Sequence, residues 1–153
     1  MSKEKTYSTN SPIYILTWNP KTYDWGKKYD RICFISQHFG AVNESWFIQI
    51  KAPRKGDRFI LLRQGMKDGN GIIGYGHIKS DPYKYIFYMD VVDISIHRLF
   101  RETLLARDEL EKQFPDQYWR PNRNGIRLKQ EYEHDLWKLL RVMTSKKLVP
   151  IIR

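Results

Sequence analysis

Two neighbouring runs, "GDRFILLRQG" (56–65) and "GIIGYGHIKSDP" (71–82), carry the pattern that decides the fold. Each is a short apolar stretch closed by turn residues, too short for a helix and rich enough in Ile, Phe and Tyr for a strand. The first reads as a turn, a buried strand and another turn. In the second, Gly74 and Gly76 predict a bulge or a close approach of backbone. Working outward, "YKYIFYMDVVDISI" (83–96) reads as a long third strand and "ESWFIQI" (44–50) as another. "YILT" (14–17) opens like a strand that Asn19-Pro20 stops, with Trp18, Tyr23 and Trp25 crowding the turn.

Helices fill the connections. In "KKYDRICFISQHF" (27–39), Tyr29, Ile32, Cys33, Ser36 and Phe39 recur at helical spacing, and Gly40 stands where a C-terminal glycine belongs. The acidic stretch 101–113 reads as a short helix ended near Pro115, and 118–128 as a loop running into a short strand or turn. In 131–143, Tyr132, Leu136, Leu139, Leu140 and Met143 form one apolar stripe of an amphipathic helix. Strands outnumber helices, which predicts an α+β fold around a small, strongly curved sheet or barrel flanked by helices. A flexible polar tail (1–12) precedes one domain (13–153), and the chain is expected to act as a monomer.

Charge points to a partner. Lys and Arg number 27 against 17 Asp and Glu, a net charge of +10, an excess that suits a polyanion. The excess is uneven: "YWRPNRNGIRLK" (118–129) holds Arg120, Arg123, Arg127 and Lys129 and no acid. No apolar run approaches the ~18 residues that would span a membrane, and the N-terminus has no signal-peptide core. A single cysteine, Cys33, fits a reducing cytoplasm.

Nothing argues for catalysis, a cofactor or a metal. His38, His77, His97 and His134 have no partner at metal-ligand spacing. The glycines of "GNGIIGYG" (69–76) lie in a strand rather than before a helix, so they make no phosphate loop. Asp90 and Asp93 are read as surface charges. Binding features are better supplied: Trp18, Trp46 and Trp119 all interrupt polar or turn segments. A Trp set among turn residues and arginines is suited to stacking on a nucleobase, at ~1–3 kcal/mol per base; plugging one end of a barrel is the competing role. Trp25 and Trp137 are assigned to the core.

The blocks "YILTWNP", a Trp seven residues after Trp18, "GDRFILLRQG", "GIIGYGHIKSDPY" and "QYWRPNRNGIRL" together resemble the EVE-type domain of the PUA-like superfamily, a relative of YTH and SRA/ASCH domains. The similarity runs from about residue 13 to 143 and is nearest to EVE domains fused to HNH endonucleases. It implies a small β-barrel flanked by helices that binds 5-methyl- or 5-hydroxymethylcytosine in DNA, flipped into an aromatic cage, for modification-dependent host defence. Carried over by motif, Trp18, Trp46 and Trp119 are cage walls, with Arg63 and Gln64 at the rim or floor. Asn19 is a neighbouring amide, and Arg120, Arg123, Arg127 and Lys129 would hold the backbone.

Two departures matter. The family's last block is closer to "WSPQSSGI", and here Arg120, Asn122 and Arg123 stand in its place. No HNH nuclease follows residue 143, so the chain is expected not to cut by itself. One buried methyl contributes only about 0.8 kcal/mol, so strong base discrimination needs an amide such as Asn19, Gln64 or Asn122. Alternatives are a YTH-like reader of N6-methyladenine in DNA or RNA, a targeting domain separate from its nuclease partner, and a protein–protein adaptor whose aromatics are core.

Overall fold

The computed structural model describes residues 10–148. Strands are β1 (Ile13–Trp18), β2 (Val42–Ile48), β3 (Arg58–Arg63), β4 (Gly71–Ile78), β5 (Tyr83–Lys84), β6 (Asp90–Leu99), β7 (Leu105–Ala106) and β8 (Ile126–Arg127). Helices are α1 (Lys27–His38), α2 (Arg107–Gln113) and α3 (Gln130–Lys147). The strands form one curled sheet in the order β2-β6-β4-β3-β1-β8, with β5 beside β6 and β7 beside β4. The fold is α+β, a half-barrel of sheet with three helices around it. Residues 1–9 of the expected tail lie outside the described residues, whereas Ser11 and Pro12 offer their carbonyls to Arg58.

The central strands are mostly apolar because both faces are covered. Ile13, Ile15, Ile60, Leu62 and Ile72 pack on one side against Leu110, Phe114, Trp119, Leu136, Trp137 and Leu140. Leu16, Trp18, Phe59, Leu61, Ile73, Val92, Ile94 and Ile96 pack on the other against Ile32 and Cys33 of α1. β1 and β3 are parallel and in register, Ile15 beside Ile60 and Trp18 beside Arg63, while the remaining pairs are antiparallel. Gly76 is the close approach predicted at that position: a Cβ there would sit 1.9 Å from the Ser95 carbonyl. The β4–β6 register shifts at that point.

Two predicted elements differ. The stretch 83–96 is not one strand: β5 turns back through Tyr85–Met89 to pair with β6, Tyr83 opposite Val91. The turn uses Phe87 (φ 54°) and Tyr88 (φ 69°) in the left-handed region, where glycine or asparagine is the usual signal. The helix predicted over 101–113 begins only at Arg107, because Leu105 extends alongside Ile72 as β7. The helix over 131–143 is longer than predicted, and Glu133 ties its first turn to β1 by accepting the Ile13 N–H at 2.9 Å.

His77 on β4 and His97 on β6 meet ring to ring, with Nδ1 and Nε2 2.9 Å apart. Burial, then the neighbouring His97 and Arg58, hold His77 down to about 3. Burial, then Arg98 and Arg141, hold His97 down to about 4. Both pKa values are depressed, so the unfolded chain binds more protons and stability falls on acidification. The contribution is complete above the ordinary value of 6.5 and is lost as pH falls towards 4 and 3. The melting temperature should therefore drop between pH 6.5 and 4, with a shallower slope in His97→Gln, as followed by calorimetry across pH.

Candidate functional site

The turn after β1 gathers four aromatic rings. Trp25 lies in the middle, its centroid 5.1 Å from Trp18, 5.2 Å from Trp46 and 5.8 Å from Tyr29, nearly parallel to the last at 19°. Trp18 also meets Tyr29 at 4.8 Å. Local chemistry sets the turn: the Asn19 side chain accepts the Lys21 N–H, and the Asn19 carbonyl accepts Thr22 and Tyr23. The Trp18 indole donates to the Tyr23 carbonyl at 2.8 Å, which fixes its ring against the turn it precedes. Trp18 and Trp25 are buried, whereas Trp46 and Tyr29 are half-buried at the margin.

Arg63 is the register neighbour of Trp18 on the parallel ladder and shares its face. Its guanidinium donates to the carbonyls of Gly69 and Arg101, at 2.8 Å each, and to the Tyr29 hydroxyl. Burial raises the Tyr29 phenol well above its usual range, so it stays protonated and donates to the Phe100 carbonyl at 2.6 Å. Burial likewise pushes the Cys33 thiol up to about 12, leaving it an unreactive packing group. Gln64 donates through its side chain to the Pro121 carbonyl at 2.6 Å and through its backbone to Trp18, binding the 118–125 loop to the strand ends.

Trp18, Trp46 and Arg63 therefore come together as a group. Trp119 does not join them. It is 1% exposed in the opposite core, its indole N–H donating to Phe114. Asn19 and Gln64 stand beside the group, holding turns. Of the cations, Arg120 pairs with Glu111 and Arg127 with Glu133. Lys129 precedes α3. Arg123 is exposed next to the cluster loop and has no ion-pair partner among the described residues.

One residue that the motifs did not single out holds the site together. Asn124 accepts from the Thr17 N–H (2.6 Å) and the Trp46 indole (3.0 Å) through one amide oxygen. Its carbonyl accepts Gln49 and Ile50, and its N–H donates to the Gln49 side chain. Its sequence signal was Asn-Gly: Gly125 has φ +101°, and a Cβ there would lie 2.4 Å from the Ile50 carbonyl.

A second aromatic surface lies on the β5–β6 turn, where Phe87 and Tyr88 are 85% and 87% exposed. The ring of Tyr85 approaches Phe47 on β2 at 6.4 Å, and both line a cleft of about 160 Å³ with Ser45, Trp46 and Val91. Non-glycine residues held at positive φ cost of order 1–3 kcal/mol each, and the tip buries little in return. Among the described residues, no group of three or more His, Cys, Asp or Glu is arranged to hold a metal, and no helix is long and apolar enough to cross a membrane.

No protein-family model matches the chain, and no curated protein is similar enough to match. Among solved structures it is similar to the NMR structure of a Rhodopseudomonas palustris protein, a structural-genomics target. The two superimpose with a TM-score of 0.50 at 16% identity, over 89% of this chain and 94% of the other. The likeness is one of fold.

Removing the Asn124 amide leaves two donors, a backbone N–H and an indole, without their acceptor. Each lost partner in a buried setting costs about 1–3 kcal/mol. Asn124→Ala should lose about 2–4 kcal/mol in chemical denaturation and shift the tryptophan fluorescence. Asn124→Asp, which keeps the acceptor oxygen, should lose less.

Proposed function

We propose that the chain is a non-catalytic reader of a modified base in nucleic acid, with the EVE-type, PUA-like architecture that its motifs resemble. The observation that carries the reading is the convergence of Trp18, Trp46 and Tyr29 around Trp25, with Arg63 beside Trp18 and Tyr29, at one end of the sheet. Trp25 stacks on Tyr29 and meets Trp18 and Trp46 edge-on, so these rings already accommodate a flat partner. It sits on a turn that ends at Gly26, a residue at φ +63°. A base stacks at the margin of this cluster, on the half-buried rings of Trp46 and Tyr29.

Magnitudes favour this division of labour. Flipping a base costs a few kcal/mol, and stacking returns about 1–3 kcal/mol per ring face. Backbone contacts supply the remainder, and the net charge of +10, with Arg123 exposed beside the cluster, supports them. The exposed Tyr85–Met89 tip, close to Trp46, is an apolar wedge of the kind that props unstacked bases apart. The Asn19, Gln64 and Asn124 amides already hold turns, so base selectivity rests on shape and ring stacking more than on an amide pair.

The test is a titration of labelled duplex and single-stranded oligonucleotides, as DNA and as RNA. They carry cytosine, 5-methylcytosine, 5-hydroxymethylcytosine or N6-methyladenine. A reader binds one modified base several-fold tighter than its parent; equal affinity across the set sinks the proposal. Trp46→Ala is the informative variant because Trp46 is half-buried. It should weaken binding at least about fivefold, the lower end of one stacking contact, with a modest change in melting temperature. Trp18→Ala removes a buried ring and should destabilise the fold by about 3–5 kcal/mol.

A further inference from the structure

The opposite face of the sheet carries a basic groove that the aromatic cluster does not use. His134, Lys138, Arg141 and Ser145 follow one another along the exposed stripe of α3 at helical spacing. With Arg58 and Trp137 they line a cavity of about 510 Å³. Among the described residues no carboxylate lines it. Among the described residues seven ion pairs form, and none involves Arg58, Lys138 or Arg141.

Arg58 is the unusual member. It is 2% exposed, and its guanidinium lies over the Trp137 ring, 5.0 Å from the centroid. Nε and Nη2 both donate to the Ser11 carbonyl, while Nη1 is buried with no hydrogen-bond partner. Glu133 and Asp57 act on Arg58 through space, but neither carboxylate bonds to it: Glu133 takes the Ile13 N–H and Arg127, and Asp57 takes the Arg54 N–H. A buried cation with an unused donor, facing a cavity rimmed by two further cations, is short of an anion.

We propose that this groove binds a phosphate group, with Arg58 at its floor and Lys138 and Arg141 at its rim. The Arg58 guanidinium supplies a fixed positive charge beneath a phosphate oxygen in the groove. The exposed cations neutralise the remaining charge, and His134 offers a further hydrogen bond from the same stripe. The phosphate belongs either to a nucleic-acid backbone or to a free nucleotide. The site is separate from the aromatic cluster, because Trp137 and Trp18 belong to cores on opposite faces of the sheet. It therefore stands or falls independently of the base-reading proposal.

The experiment is an NMR titration of the ¹⁵N-labelled 153-residue chain with inorganic phosphate, with deoxycytidine monophosphate, and with an unmodified DNA duplex at matched ionic strength. Saturable shifts of the Trp137 indole and Arg58 Nε–H signals are expected, at least tenfold weaker in Lys138→Glu/Arg141→Glu. Both positions are exposed, so the melting temperature should hold; Lys138→Gln/Arg141→Gln replaces the pair if charge reversal unfolds the chain. A backbone site also loses duplex affinity in the variant, with a salt slope lower by about two. A free-nucleotide site loses the mononucleotide alone. Absence of saturable shifts with all three probes, or shifts unchanged in both double variants, would overturn the proposal.

Discussion

The side-chain oxygen of Asn124 is the joint on which the aromatic end of the molecule depends. The sheet runs from β2 at one edge to β8 at the other, and an open sheet would leave those edges apart. Asn124 lies just before β8. It bonds to Gln49 and Ile50, just past β2, while its amide oxygen takes the Thr17 N–H of β1 and the Trp46 indole of β2. One residue thereby brings the two edges together at the mouth of the curled sheet and sets the angle of a tryptophan there. Gly125 makes this approach feasible, since any side chain at that position would collide with the Ile50 carbonyl.

Two faces of one sheet carry different chemistry. On the α1 face, aromatic rings accumulate at the strand ends, and Arg63 spends its donors on carbonyls of two loops and on Tyr29. That arrangement stiffens the surroundings of the cluster. On the α3 face, Arg58 is buried against Trp137, and among the described residues the cations above it form no ion pair. Parallel pairing of β1 with β3 links the two: Trp18 and Arg63 lie side by side at one end, Ile13 and Arg58 at the other. The neutral His77–His97 pair lies close to Trp137, where protonation would add charge beside Arg58 and Arg141.

Much of this was legible in the chain. The apolar runs at 58–63 and 71–78 are strands, and the glycine that a close approach demanded is at Gly76. The helical stripes at 27–39 and 131–143 are helices. What was not legible shares a cause: long-range contact overrides local preference. The β5–β6 turn contains no glycine or asparagine at its tip, so 83–96 reads as a continuous strand until the pairing of Tyr83 with Val91 is seen. Leu105 falls inside the acidic stretch that reads as a helix but extends to pair with Ile72. Among the site residues, Trp119 interrupts a turn segment as Trp18 does, yet its indole is buried and donates to the Phe114 carbonyl.

The sequence by itself determined the element types, the α+β class, the basic excess and the tryptophans worth following, because these depend on periodicity, turn chemistry and composition. The tertiary structure decided which tryptophans meet. It also decided that β1 and β3 run parallel, that Asn124 closes the sheet, and that Arg58 is buried under a cationic groove. Those outcomes depend on which strand lies beside which, and thus on contacts across 45 to 107 positions of chain. Local pattern carries no information at that range. Only packing both faces of one sheet at once selects among the pairings that the pattern allows.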